Sequence, residues 1–360
     1  MRTRDSNLDL LRAAAILMVV VYHVAQRWPV PLPRLTAVTQ YGEYGVDLFF
    51  VLSGWLIGGL LWREQERFGN VQVARFISRR ALRTVPPYLV ALAIFYLGVF
   101  VTRHERFDWG YFLFLQNYYQ NISYFHISWS LCVEEHFYLV MPMIALAIST
   151  RIGRAHMLLL IPALFPIFFR TFAGNAFLTE DFGYYHTATH LRYEGLLLGV
   201  WASFLYQKHS DAWRILQRFA PFALVLSVAA LVGAAALGGR GRYIFFYFAT
   251  ALTFLFLLIW IAGRKPLPLA GSRVVFWIAS ASYSVYLTHT LALGLALRTA
   301  GRSPFLAAIH LLTVSALITA AGALFYLLVE RPSLALRHRL MPGRTHAPSP
   351  LRTPLLRKRD

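Results

Sequence analysis

Charged residues are scarce in this sequence, and acidic residues are the scarcest of them. Only 14% of the 360 residues are charged, and 16 Asp and Glu stand against 35 Lys and Arg. A water-soluble domain of this length would have roughly a quarter of its residues charged. The single cysteine, Cys132, excludes an intramolecular disulfide, and we expect it to pack as a small apolar side chain. The composition therefore argues against a soluble or disulfide-stabilised protein.

Several sequence signatures of known sites are absent as well. The sequence has no P-loop and no G-x-G-x-x-G motif, the phosphate-binding loops of nucleotide enzymes. No spacing of His, Cys and Asp matches a metal site, so we expect no metal. Alternating ten-residue segments, the pattern of a transmembrane barrel, are missing too. These absences argue against a nucleotide-binding loop, a metal site and a membrane barrel.

Long apolar runs fill most of the chain, of which 58% is hydrophobic. Ten runs lie at about 8–28, 44–62, 84–102, 129–149, 156–170, 189–206, 219–237, 243–262, 274–297 and 304–329. We therefore predict an all-α integral membrane protein with about ten transmembrane helices around a polar central cavity. The semi-apolar piece 107–119 is expected to lie at the membrane interface or to re-enter the membrane.

The formal charge of +19 is concentrated in short loops between the apolar runs. An arrangement with both termini on one side places 24 Lys and Arg in loops on that side and nine opposite. This asymmetry favours cytoplasmic termini and the cell inner membrane. It makes the lipid bilayer, and not nucleic acid, the expected partner of the basic loops. The first apolar run has no small-x-small cleavage site, so we expect it to be retained as a span.

The chain divides at about residue 332. We assign residues 1–332 to one transmembrane domain and residues 333–360 to a basic, proline-rich cytoplasmic tail. Apart from a short interfacial helix at 333–340, the tail is expected to be disordered, because its composition buries too little apolar surface.

The first span, LDLLRAAAILMVVVYH, carries Arg12 near one end and His23 at the other. Eleven residues separate them. In a helix this is three turns plus about 20°, so the two side chains face the same way, about 16 Å apart. Either residue alone could lie at a lipid headgroup. Their occurrence on one face favours a functional pair.

A cluster of arginines follows the second apolar run, in ARFISRRALRTVPPY. Arg75, Arg79, Arg80 and Arg83 lie at spacings of four, one and three residues, in what we predict to be a cytoplasmic loop. Planar guanidinium groups bind phosphate oxygens in pairs, so this cluster suits a polyphosphate anion. Attraction to anionic lipid is the alternative explanation.

The segment SWSLCVEEHFYLVMP places Glu134 and Glu135 at membrane depth, where ionisable side chains are costly and usually functional. Adjacent helical residues point about 100° apart, so the two carboxylates are not expected to face one partner. Structural ion pairing is the alternative for each. In the second span, Ser53 lies among small residues that favour close helix packing.

Further polar side chains are spread over the later spans: Arg192, Glu194, Tyr283, Tyr286, His289 and Glu330. We expect hydrogen bonds between helices for these residues more often than direct chemistry. Polar groups on so many spans imply a polar central cavity.

Six motifs together resemble the membrane-bound acyltransferase-3 family. They are LDLLRAAAILMVVVYH, GVDLFFVLSGWLI, RRALRTVPPYL, ISWSLCVEEHFYLVMP, SYSVYLTH and LLVERP, in this order from residue 8 to residue 332. The resemblance implies a ten-span enzyme that moves an acyl group, often acetyl, from cytoplasmic acyl-coenzyme A to a hydroxyl on the extracytoplasmic side. The implied acceptors are mostly sugars of surface glycans or glycolipids.

The resemblance implies functional positions for Arg12, His23, Arg80, Arg83 and either Glu134 or Glu135, and the arginine cluster adds Arg75 and Arg79. The arginines would bind the donor, with the phosphates at the cluster and the thioester nearer the first span. The histidine and the glutamates would be catalytic, and the imidazole could take the proton of an attacking hydroxyl. We expect a Glu or Tyr hydrogen bond to orient this imidazole. A transient acyl group on the histidine is an open alternative.

Two other function classes fit parts of the sequence. A transporter or exporter of a glycan or small anion would also line its path with buried Arg, Glu and His. It would often show repeated halves, and none are visible here. An intramembrane serine protease would use Ser53 with His289, although Val51 stands where the usual glycine would be.

Overall fold

The structure is a computed structural model that describes residues 5–27, 38–104, 106–119, 121–149, 152–172, 184–296 and 304–342. Its long helices are α1 Ser6–Gln26, α2 Gly45–Phe68, α3 Val73–Arg103, α4 Trp129–Ser149, α5 Ala155–Phe172, α6 Glu194–Lys208, α7 Ser210–Ala236, α8 Gly239–Ile261, α9 Arg273–Ala296 and α10 Pro304–Phe325. The ten apolar runs of the sequence thus correspond to these ten long helices. No strand occurs in the described ranges.

Eight helical segments of the described chain are long and apolar enough to cross a membrane. The two long helices outside this set are α6 and α9. Helix α6 has only 15 residues, fewer than the 20 or so that a span ordinarily needs. Helix α9 is long enough but carries a row of Ser, Tyr, Thr and His. An all-α membrane protein is therefore confirmed, while the count of ten spans and the central position of the cavity stay predictions.

Small residues bring α2 and α6 into close contact. A Cβ atom built on Gly54 would lie 1.9 Å from the carbonyl oxygen of Leu196, and one on Gly199 would lie 2.2 Å from that of Val51. This confirms close packing among the small residues around Ser53, although Ser53 itself donates a hydrogen bond to Glu134 of α4. Elsewhere α7 packs along α8, and α9 packs against both α1 and α10.

Gly54→Ala is therefore expected to destabilise the protein by about 1–3 kcal/mol, because backbone atoms of α6 would have to move. Gly98→Ala is the matched control, since Gly98 also lies within a helix and a Cβ there meets nothing within 4 Å. Thermal unfolding in detergent measures both. Equal unfolding temperatures for the two variants would contradict the close packing of α2 on α6.

The connection between α3 and α4 forms short 3-10 turns, at Trp109–Leu113, Gln116–Tyr118 and His126–Ser128. Tyr111 is completely buried, and its main-chain carbonyl accepts a hydrogen bond of 2.9 Å from Tyr88. This segment therefore packs against the helices through specific contacts. Whether it lies at the interface, as predicted, remains a prediction. The cysteine, Cys132, is buried and reduced, as expected.

Helix α10 does not stop at Phe325. It continues through a π-turn at Tyr326–Glu330 into an eleventh helix, α11, at Arg331–Leu340. Pro332 has no N–H group to complete the regular bonding at this point, which is consistent with the widened turn. The predicted short helix at 333–340 thus belongs to α11. The tail beyond residue 342 lies outside the described residues.

Candidate active site

A cavity of about 500 Å³ lies where α1, α2, α3, α4, α9 and the π-turn meet. We call it the arginine cavity, because its lining includes Arg12, Arg63, Arg80, Arg83 and Arg337. Only two carboxylates, Glu134 and Glu330, stand against these five guanidinium groups among the described lining residues. The cavity is therefore strongly electropositive.

Arg80 and Glu134 are connected through Tyr138. The guanidinium of Arg80 lies over the Tyr138 ring, 5.0 Å from its centroid. Tyr138 donates a hydrogen bond to one carboxylate oxygen of Glu134, and Ser53 donates to the other at 2.8 Å. The Nε of Arg80 is buried and has no hydrogen-bond partner within the described part of the chain. A guanidinium that is held by packing and whose Nε–H has no acceptor is suited to bind an anion.

The two adjacent glutamates have different surroundings, as the helical spacing predicts. Glu134 lines the arginine cavity, and Glu135 is not among its lining residues but lies beside Thr84. Both carboxylates nevertheless interact electrostatically with Arg80. Their hydrogen-bond partners differ, with Ser53 and Tyr138 bonding to Glu134 and Thr84 bonding to Glu135.

The predicted four-arginine cluster is divided in the structure. Arg75 and Arg79 donate hydrogen bonds to the main-chain carbonyls of Pro342 and Met341, whereas Arg80 and Arg83 line the arginine cavity. The prediction placed all four in a loop, but α3 begins at Val73 and makes this stretch helical. At 100° per residue, Arg79, Arg83 and Arg80 lie at about 40°, 80° and 140° from Arg75 around the helix, so the two cavity-lining arginines are the two turned furthest from Arg75.

The second half of the first span leads to a different cavity. This histidine cavity, of about 350 Å³, is lined by His23, Glu43, Asp47, His126, Arg192 and Tyr286 together with apolar and aromatic side chains. Residues Val46 and Tyr286 line both cavities, so the two are neighbours. Helix α1 runs past both and presents Arg12 to the first and His23 to the second.

The hydrogen bonds of His23 define its neutral tautomer. Its Nδ1 lies 2.9 Å from the carbonyl oxygen of Val19 and 3.3 Å from Nε2 of His289. The Nδ1 of His289 lies 2.8 Å from the carbonyl oxygen of Tyr286. Because a carbonyl only accepts, Nδ1 carries the proton in both neutral rings, and Nε2 of His23 keeps its lone pair.

This arrangement corrects one expectation. A Glu or Tyr was expected to orient the imidazole of His23, but its Nδ1 bonds instead to the carbonyl of Val19, one turn earlier in α1, and to His289, on α9. The two rings are 4.8 Å apart between centroids, at 68° to each other. The unprotonated Nε2 of His23 can take a proton from a hydroxyl that enters the histidine cavity.

A buried ion-pair network supports the wall of the histidine cavity. Arg192 donates to both carboxylate oxygens of Asp47, at 3.0 and 3.1 Å, and lies 3.9 Å from the centroid of Tyr247. Next to it, Arg170 pairs with Glu194 at 2.7 Å. As predicted for Arg192 and Glu194, these groups connect elements by hydrogen bonds.

The imidazole of His186 adjoins this network, outside the membrane-spanning helices. Burial and the nearby charge of Arg192 lower the pKa of His186 to about 4. At pH 7 the ring is therefore neutral, and it lies 2.7 Å from the hydroxyl of Tyr247. A second buried positive charge beside Arg192 is thereby avoided.

The other polar residues singled out in the later spans also form bonds between elements. Tyr283 donates to the carbonyl of Thr84 at 3.0 Å, Tyr286 to that of Ile127 at 2.9 Å, and Ser284 to Glu330 at 2.5 Å. Glu330 and Tyr283 line the arginine cavity as well.

The arrangement does not favour the serine protease alternative. Ser53 donates to Glu134 in the arginine cavity, whereas His289 bonds to His23. No Ser53–His289 hydrogen bond forms between these two described residues, so the base that a serine nucleophile needs is missing. In the described part of the chain no three His, Cys, Asp or Glu side chains are grouped to hold a metal ion.

Sequence reasoning missed Arg63, Arg337, Glu43 and His126 as lining residues. Arg63 follows an apolar run and was counted only as a loop charge, and Arg337 lies in the segment assigned to the tail. Glu43 and His126 precede the spans that carry the recognised motifs. Only the fold brings Glu43 and His126 close to His23, so the sequence motifs could not identify them as lining residues.

One known protein family matches most of the chain. The family described as an acyltransferase domain matches residues 5–328. The O-acetyltransferase OatA of Staphylococcus aureus (strain NCTC 8325 / PS 47) is 25% identical over 322 residues, which are 79% of this chain and 49% of the relative. A Staphylococcus aureus (strain COL) protein whose name also contains the term O-acetyltransferase is 28% identical over 220 residues, 56% of this chain and 34% of that protein. No solved structure matches the chain significantly.

The chain spans between about one third and one half of the length of these curated relatives. The family match, in contrast, covers nearly the whole chain and includes both cavities up to the π-turn. The resemblance that the six motifs indicated is thereby confirmed: this chain belongs to the acyltransferase-3 family of acyltransferase enzymes.

Proposed function

We propose that the protein is a membrane O-acyltransferase that moves an acyl group, most simply acetyl, from acyl-coenzyme A to a hydroxyl of a glycan or glycolipid. The observation that carries this proposal is that Arg12 and His23 lie on one continuous helix but face two neighbouring cavities. One cavity is rich in guanidinium groups, and the other contains an imidazole with a defined tautomer. The helical rise separates the two residues by about 16 Å.

The arginine cavity suits the donor. Coenzyme A carries several phosphate charges, and five arginines against two glutamates offer the complementary charge. The unpartnered, buried Nε of Arg80 is a preformed donor for a phosphate oxygen. The thioester arm would extend past Arg12 toward the boundary that Val46 and Tyr286 form between the cavities.

The histidine cavity suits the acceptor hydroxyl. The hydroxyl oxygen would attack the thioester carbonyl carbon while Nε2 of His23 takes the hydroxyl proton. Collapse of the tetrahedral species breaks the carbon–sulfur bond, and the sulfur of coenzyme A leaves and takes up a proton. The products are an O-acyl ester and free coenzyme A. Direct transfer needs no acyl group on the enzyme, and the walls of the cavity would limit hydrolysis of the thioester.

Glu134 would act on the donor side. Its carboxylate is held by Ser53 and Tyr138 and attracts Arg80, so it would fix the guanidinium that meets the phosphates. Glu135 would support the same arginine from beside Thr84. Both glutamates are then positioning residues for the donor, in contrast to the catalytic role that the sequence suggested for them.

The names of the two relatives favour acetyl as the acyl group, since both are named O-acetyltransferases. The excess of basic residues in loops on the N-terminal side supports a donor cavity that faces the cytoplasm, in a protein of the cell inner membrane. On this topology the histidine cavity faces away from the cytoplasm. A surface sugar or glycolipid is the acceptor class that meets it there.

Arg80→Ala combined with Arg83→Ala is expected to weaken acetyl-coenzyme A binding by about tenfold or more, because two charge-assisted contacts are lost. Calorimetry on purified protein measures this. Arg214→Ala is the matched control, since its side chain is 76% exposed and is not among the lining residues of the cavity. If the unaltered protein binds neither acetyl- nor a longer acyl-coenzyme A, the proposal fails and a transporter or exporter becomes the function to test.

A further inference from the structure

The C-terminal helix α11 lies beyond the family match, which ends at residue 328. Most of its basic side chains, including Arg331 and Arg339, are exposed. Arg337 differs, because it lines the arginine cavity next to Leu334 of the same helix. A segment that the sequence assigned to the cytoplasmic tail, as a short interfacial helix, therefore contributes to the wall of the donor site.

The environment of Arg337 is that of an incomplete anion site. Its Nε is buried and has no hydrogen-bond partner within the described residues. The positive charges of Arg79 and Arg83 act on it electrostatically, and both oppose its own charge. Like charges brought together around a cavity destabilise one another until an anion joins them. The Nε donor and the surrounding positive charge both favour a phosphate group.

The position of α11 is maintained by two other arginines. Arg75 and Arg79 donate hydrogen bonds to the carbonyls of Pro342 and Met341, which immediately follow the last turn of α11. The end of a helix has carbonyl groups without intrahelical donors and carries a partial negative charge. Two guanidinium groups from α3 bond to the carbonyls just beyond this end, close to its partial negative charge, and thereby anchor α11 to α3, against which it packs.

We infer that α11 completes the donor site, with Arg337 in contact with a phosphate of coenzyme A and with Arg75 and Arg79 as positioning residues that anchor α11. This inference rests on the proposed function and adds a donor-binding residue outside the matched family domain. It also gives a role to Arg75 and Arg79, which do not line the cavity. They act on the donor only through α11, which they anchor.

Anionic lipid is the other ligand that could attract a basic helix. It would interact with the exposed arginines of α11 at least as strongly as with the half-buried one. Arg337 and Arg339 lie two residues apart on the same helix and differ in whether they line the cavity. Comparing them separates a cavity ligand from a membrane surface.

The test is calorimetric binding of acetyl-coenzyme A to the full chain in detergent. Arg337→Ala is expected to weaken binding by about tenfold or more, and Arg339→Ala to leave it unchanged. Arg337→Lys should recover part of the affinity, because it restores the charge without the planar fork. Unaltered affinity in Arg337→Ala, or an equal loss in Arg339→Ala, would overturn the inference.

The positioning role is tested by combining variants. Arg75→Ala with Arg79→Ala should weaken binding, but should have little further effect when Arg337 is already alanine. A full additional loss would show that the two arginines act on the donor by themselves. Thermal unfolding confirms that each variant is folded. If the unaltered protein does not bind coenzyme A, the proposed function fails together with this inference; if it binds and Arg337→Ala binds equally, only the inference fails.

Discussion

His23→Ala will reduce acyl transfer by about 10²- to 10⁴-fold, the usual contribution of a general base, and will leave acetyl-coenzyme A binding unchanged. The reason is that His23 faces the histidine cavity, whereas the arginine groups proposed to bind the donor line the neighbouring one. Removing the imidazole removes the group that would take the hydroxyl proton. It leaves the guanidinium groups in place.

Release of free coenzyme A in the presence of a glycan or glycolipid acceptor measures transfer, and calorimetry measures donor binding. His289→Gln is the matched variant, because a glutamine oxygen can still accept from Nδ1–H of His23. It should retain more activity than His289→Ala, in which Nδ1–H of His23 keeps only the carbonyl of Val19 as an acceptor. Loss of donor binding in a folded His23→Ala protein would contradict the division of roles between the cavities.

The helices of this protein follow from its sequence to a large extent. Each of the ten apolar runs is a long helix, because a run of this length in an apolar setting must satisfy its backbone hydrogen bonds internally. The starts of helices were less predictable. Helix α3 begins at Val73, eleven residues before its apolar run, since polar arginine-rich residues continue a helix readily. That early start is what divides the arginine cluster.

The site could be predicted residue by residue but not as a set of contacts. Arg12, His23, Arg80, Arg83 and Glu134 all line one of the two cavities. The side-chain partner of His23, His289, is in contrast 266 residues away along the chain. A single sequence contains no information on which faces of α1 and α9 meet. The same is true of Arg337, whose position depends on contacts of α11 with α3.

The pairing of the buried charges could not be predicted from the sequence either. Arg192 was expected to bond between helices, but nothing in the motifs identified Asp47 as its partner, 145 residues away. The close approach of α2 and α6 through Gly54 and Gly199 brings the two together, since both charged residues lie near the ends of these packed helices. Small residues thus position a pair that supports the histidine cavity.

Asp47→Leu is expected to destabilise the protein by about 3–5 kcal/mol, because it leaves the buried guanidinium of Arg192 without its counter-ion. The side chains of this pair are only 4% and 7% exposed, so water cannot replace the lost partner. Thermal unfolding in detergent measures the loss. Asp211→Ala is the matched control, because its pair with Arg214 is 2.6 Å long but 76% and 82% exposed, and it should change stability very little.

Asp47→Leu combined with Arg192→Leu should recover much of the stability, since no unpaired charge stays buried. The same double variant separates structure from function. If the pair serves only to hold α2 and the start of α6 together, the stable double variant should transfer acyl groups normally. If Arg192 also contributes to the charge around His23, whose cavity it lines, activity should stay low although the fold is restored. A double variant as unstable as Asp47→Leu would show that the charges themselves, and not their imbalance, are required for folding.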